Sequence, residues 1–242
     1  MPNQNDPIEP LVEPIEADAH DSPEPSRARE RAAHLAVATG AAFLALLATV
    51  QFLEPEFDPT WRFVSEYELG NFGWIMRLGF ACLALSCIGL HLAVGPHLTT
   101  GPGKTGRVML VITSVALVIT AVVAPDPSDA PAGGATVHGI VHSQASTIAG
   151  LTVAVAALLI STSLIRSAGW AGSRKTLRWT RHLPWLAFVA MNAMVIAGMS
   201  SNGGHLGPGT WIGWPTRVFV VTIAVWTMST ARLVVRSNRR EA

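Results

Sequence analysis

The 242-residue chain is poor in charge inside its apolar stretches: no acidic residue occurs between Glu68 and Asp126, and none between Asp129 and Glu241. Proton-coupled carriers and pumps keep an ionisable group at membrane depth, so this gap argues against a transporter. Charged residues amount to 14% of the chain against 50% hydrophobic ones, which excludes an ordinary soluble domain and makes a bilayer the expected solvent. There are only two cysteines, Cys82 and Cys87, both within one apolar run, where they read as packing thiols rather than a disulfide. The net charge of +1 leaves no basic excess for a nucleic-acid partner. No basic start followed by a short apolar core is present, so no cleavable signal peptide is expected.

What is present is a set of long apolar runs. A bilayer core needs roughly 20 apolar residues per helical span. Six segments approach this, at about 33–53, 73–95, 107–124, 146–165, 185–200 and 216–236. The expected fold is all-α, a polytopic six-transmembrane-helix bundle over residues 33–236. Residues 1–32 form an acidic, proline-rich tail expected to be disordered and cytoplasmic, and 237–242 a short basic C-terminus.

Orientation follows from Lys and Arg, which are retained in cytoplasmic loops. Arg27, Arg29 and Arg31 precede the first span, Lys104 and Arg107 lie between the second and third, and five basic residues from Arg166 to Arg181 separate the fourth and fifth. Arg232, Arg236, Arg239 and Arg240 end the chain, leaving Arg62, Arg77 and Arg217 on the opposite face. The alternation predicts both termini on the cytoplasmic side of a cell membrane, and seven of the tryptophans fall near span ends, with Trp226 alone inside one. The segment Arg166–Arg181, with Trp170 and Trp179, reads either as a topology determinant or as an interfacial stretch attracted to anionic lipid. Gly40 with Ala36, and Gly150 with Ser146 and Ala154, provide small-residue spacings for close helix approach. Asn192 is expected to bond a neighbouring helix.

The outward loops carry the chemistry. His138 and His142 lie four apart, so on a helix both imidazoles share one face and are candidate metal ligands, with His205 and Asp126 as further donors. Three ligands and an open position would activate water for hydrolysis. The same spacing also suits a structural hydrogen-bond network or metal-free ligand binding. Asp58, Arg62, Ser65, Glu66, Arg77 and Arg217 form a candidate outer-face polar network, in which the arginines pair with Glu66, Glu68 or Asp126 or receive a lipid phosphate. Ser65 with Glu68 three positions later has capping-box spacing, and Asp58-Pro59 and Asp126-Pro127 read as turn or cap residues.

Asp58-Pro59, then Val64-Ser65-Glu66-Tyr67 and Gly70, then Gly73-Trp74-Ile75-Met76, resemble the opening signature of the membrane family catalogued as domain of unknown function 998. Pro125-Asp126-Pro127 ahead of His138 and His142, and Gly213 to Arg217 entering a span that holds Trp226, are similar to its later landmarks, over roughly residues 35–236. The resemblance implies a six-helix bacterial or archaeal multi-pass membrane protein without an established activity. A fainter similarity to the alkaline ceramidase and adiponectin-type receptor superfamily implies a zinc site of one Ser, one Asp and three His. Here these correspond to Ser65, Asp126, His138, His142 and His205, although those relatives have seven core spans. Two readings stand: a non-enzymatic membrane component whose partners are lipids, its protein partners unspecified, or a zinc-dependent hydrolase acting on a lipid at the outer leaflet.

Overall fold

The structure is a computed structural model that describes residues 24–130 and 134–241. Seven α-helices occur among these residues, with no strand: α1 (Glu24–Leu53), α2 (Gly73–Val94), α3 (Gly101–Val122), α4 (Val137–Arg166), α5 (Arg174–Thr180), α6 (His182–Ser201) and α7 (Gly213–Glu241). The short α5 leads into α6, and six helical segments are long and apolar enough to cross a membrane. Short 3-10 turns precede α2 and α5, at Val64–Leu69 and Ala168–Ser173.

Helix starts lie outside the apolar windows because local polar groups set them. The Thr100 hydroxyl accepts from the Gly103 amide at 3.2 Å, so α3 begins at Gly101 rather than 107. The Thr136 hydroxyl accepts from Gly139 at 3.0 Å, so α4 begins at Val137 rather than 146 and carries both His138 and His142. Helix α1 already runs at Glu24, so residues 24–32 are helical, and α7 continues to Glu241. The expected disorder of residues 1–23 lies outside the described residues.

Neighbouring helices pack in the order α1, α2, α3, α4, α6, α7, and α7 returns to α1. His34 near the start of α1 lines one groove with Arg232 and Arg236 near the end of α7, so the two chain ends share a "basic end" with the α2–α3 and α4–α5 connections. The other end carries the Val-Ser-Glu-Tyr turn. Leu78, Leu85 and Leu92 on α2 and Val108, Val111, Val115 and Val118 on α3 stay exposed, an arrangement suited to lipid rather than water.

Inside, small residues and hydroxyls join the helices. A Cβ on Gly89 would sit 2.8 Å from the Ala32 carbonyl oxygen, so α1 and α2 approach backbone to backbone there. Ser86 Oγ lies within hydrogen-bond reach of the Ala36 carbonyl, at 2.8 Å, and of the Thr227 hydroxyl, at 3.0 Å, and the buried Trp226 donates to Ser161 at 3.1 Å. Asn192 instead donates its amide to the Phe188 carbonyl of its own helix at 2.8 Å. Trp170 is buried edge-on to His97 at 5.3 Å, while Trp179 is exposed.

Two features of this packing shape the site. Helices α4 and α7 barely touch, and α6 covers the gap between them. Helix α6 is itself loosely held, with only 11% of its apolar window buried.

Candidate functional site

The 3-10 turn Val64–Leu69 organises the end opposite the basic one. Glu66, 1% exposed, folds back so that Oε1 accepts from the Phe63 amide at 2.9 Å. The residue that closes this turn is thus Glu66, not Glu68, since the turn starts from Phe63 rather than Ser65. Oε2 of Glu66 accepts from Arg62 at 2.6 Å and from the Ser128 amide at 3.3 Å. Arg62 also grips Asp129 through two bonds of 2.8 Å and lies 4.0 Å above the Trp61 ring. Desolvation works against its charge, but the bonds to Glu66 and Asp129 outweigh it and hold the guanidinium firmly protonated. The α1–α2 and α3–α4 loops are thereby clamped together.

Arg217, 4% exposed near the start of α7, is held from several sides. Its Nε donates to Gln51, Nη1 to the carbonyls of Pro59, Arg62 and Gly213, and Nη2 to the Tyr67 hydroxyl. Its partners are carbonyls and neutral side chains, not the expected carboxylate. Both guanidinium groups are used within the protein and are not laid open for a phosphate. Arg77 reaches only to 3.7 Å from the Glu68 carboxylate, beyond hydrogen-bond distance. Glu68 is buried with neither carboxylate oxygen bonded, and desolvation pushes its pKa up to about 8 despite the Arg77 charge. Asp58 is a local turn residue: its carboxylate accepts from the Thr60 amide at 2.9 Å, which lowers its pKa.

Asp126 secures the start of α4. It accepts from the Thr136 hydroxyl at 2.7 Å and the Thr136 amide at 2.8 Å, bonds that hold its pKa down, with the nearby His138 assisting. Gly139 makes room for this carboxylate, since a Cβ there would meet Asp126 Oδ2 at 2.0 Å. His138 is exposed, and His205 is exposed in the α6–α7 connection. His142 turns inward at 3% exposure. Its Nδ1 lies 2.6 Å from the Val123 carbonyl, which can only accept, so the ring proton is on Nδ1 and Nε2 presents a lone pair. That Nε2 is buried and has no partner.

His142, Ser65, Glu66 and Asp126 line one cavity of about 520 Å³ that also reaches Ser128 and Asn192. Its deeper wall is apolar, formed by Phe80, Leu117, Phe188, Phe219 and Ile223. The Phe188 and Phe219 rings lie 5.6 Å apart, and a Cβ on Gly150 would come within 2.6 Å of Phe188, so this glycine seats the aromatic pair. The cavity follows from the fold: α4 and α7 diverge, and α6 bridges them. His138, His205, Arg62, Arg77 and Arg217 do not line it.

The expected zinc set is not assembled. Among the described residues no group of three His, Cys, Asp or Glu is placed to hold a metal ion. His138 and His205 are exposed, and both Asp126 oxygens are engaged by Thr136. No mechanistic step through a metal is derived. Ser128, Asp129 and Gln51 were not singled out from the sequence. The Asp126-Pro127-Ser128-Asp129 run offered a signal for the first two, but Gln51 stands alone at the end of an apolar run and offered none.

No curated protein and no solved structure matches the chain. The family model described as "Protein of unknown function (DUF998)" matches residues 36–233, a stretch that holds the Arg62–Glu66–Asp129 clamp, the Arg217 cluster and every wall of the cavity. The chain belongs to this family of multi-pass helical proteins.

Proposed function

We propose that this protein resides in the cell membrane with both termini cytoplasmic and binds a lipid-like amphiphile in the cavity beneath the Val64–Leu69 turn, without catalysing a reaction on it. The supporting observation is the cavity itself, about 520 Å³ with polar groups at the loop end and aromatic and aliphatic walls below. That volume lies in the ordinary range for small-molecule sites, and the division suits a molecule with a polar head and a hydrocarbon chain. Helix α6, loosely packed on α4 and α7, is the natural side of entry from the bilayer.

The test is organic extraction and mass spectrometry of lipids retained by purified protein, with Gly150→Leu as the comparison. Gly150 lines the cavity and an added side chain there collides with Phe188, so the variant is expected to retain clearly less of one enriched lipid. Retention of the same lipids in the same amounts by both proteins would sink the proposal. The rival reading, a zinc-dependent hydrolase, needs His138 and His205 to join His142, and neither borders the cavity.

A further inference from the structure

We infer that the occupant of this cavity is an uncharged amphiphile with a hydroxyl-bearing, glycerol-like headgroup, its hydroxyl donating to His142 Nε2 and meeting Ser128 Oγ. The inference rests on the amphiphile-binding reading and adds the chemistry of the head. Two residues that line the cavity each carry a buried polar atom without a partner, His142 Nε2 and Ser128 Oγ. Buried polar groups in native proteins are nearly always bonded, so two orphans on one cavity wall mark a place where a ligand completes the bonding. The Val123 carbonyl fixes the His142 tautomer, which leaves Nε2 an acceptor that requires a donor. A hydroxyl donates to it and, through its own oxygen, can accept from a hydroxyl such as that of Ser128.

Charge narrows the choice further. The Asp, Glu, Lys and Arg residues that line the cavity are Glu66 and Asp126, with no Lys or Arg among them. A phosphate or carboxylate head would therefore meet two carboxylates and find no cation among the lining residues to offset its desolvation. An ammonium head gains little, because Glu66 is already neutralised by Arg62 and Asp126 sits where water reaches it. Glu66 accepts from Phe63, Arg62 and Ser128, and Asp126 accepts twice from Thr136. Neutral hydroxyls match what is left.

The experiment measures binding of radiolabelled 1-monooleoylglycerol to purified full-length protein in detergent, against oleic acid, oleylamine and lysophosphatidic acid with the same chain. Monooleoylglycerol is expected to bind at least about tenfold more tightly than the three charged probes. His142→Phe should weaken it by about tenfold and Ser128→Ala, an exchange with little risk to folding, by about fivefold, the range of one lost hydrogen bond. Binding of all four probes alike, unchanged in Ser128→Ala but lost in Gly150→Leu, would overturn the headgroup assignment and leave the amphiphile site standing. Preference for a charged probe would also overturn it. Failure of every probe to bind, or binding indifferent to Gly150→Leu, would refute the amphiphile site itself and the headgroup with it.

Discussion

Arg217 Nη2 donates to the Tyr67 hydroxyl at 2.8 Å, joining α7 to the turn between α1 and α2 across 150 residues of sequence. The same guanidinium takes the carbonyls of Pro59 and Arg62, which the irregular loop leaves without helical partners. Arg217 thus does for the α1–α2 loop what a cap does for a helix end, and its charge is spread over five acceptors.

Arg217→Met should therefore be costly, because it strips several buried carbonyls of their donor at once. Each buried acceptor left without a donor costs roughly 1–3 kcal/mol, so losing several at once outweighs Tyr67→Phe, which removes a single bond worth about 1–2 kcal/mol. Thermal unfolding of purified protein in detergent should show a large downward shift for the first and a small one for the second. Equal shifts would mean that the backbone contacts carry little.

Glu68 makes stability depend on pH. Its folded pKa, about 8, lies above the ordinary value of 4.5, so its contribution is complete below 4.5 and is lost as pH rises through 8. Across that window the unfolded chain releases the proton while the folded one keeps it. Glu68→Gln cannot titrate, so its stability relative to wild type should improve as the pH is raised. A difference between the two proteins that stays constant across the window would show that Glu68 ionises normally in the fold.

The large-scale architecture was legible because a membrane span is written in composition alone: twenty apolar residues bounded by charge specify a helix wherever it packs. The network was half legible. Arg62 with Glu66 follows from adjacency on one short turn, and the arginines stood out against the charge pattern. The partners of Arg217 did not, because they are mostly backbone carbonyls, which every residue possesses. Nor did the cavity, which arises from the divergence of α4 and α7 and from the loose seating of α6, relations between segments far apart in sequence. The His138–His142 spacing pointed to a shared face, yet burial separates them: one ring is exposed and the other is enclosed. Spacing fixes direction around a helix axis but not what covers each turn.

Orientation is open to direct measurement. Ser201 is exposed at the end of α6 away from the basic end. In a variant with Cys82 and Cys87 replaced by alanine, Ser201→Cys should react with a membrane-impermeant maleimide in intact cells, and a cysteine introduced at Arg178 should react only after lysis. The reverse pattern would invert the proposed topology.

Metal content tests the remaining alternative. Asp126 is held by Thr136, His142 bonds Val123 through Nδ1, and His138 and His205 are exposed outside the cavity. Among the described residues the candidate donors are not grouped as the three or four ligands that zinc takes. Purified protein is accordingly expected to contain well under one zinc per chain, with the same amount in a His138→Ala, His142→Ala double variant. Stoichiometric zinc in the wild type that disappears in the double variant would show that these side chains regroup around a metal. The hydrolase reading would then displace the binding one, with His138 and His142 among the residues that would hold the ion and the ion supplying Lewis-acid activation of water.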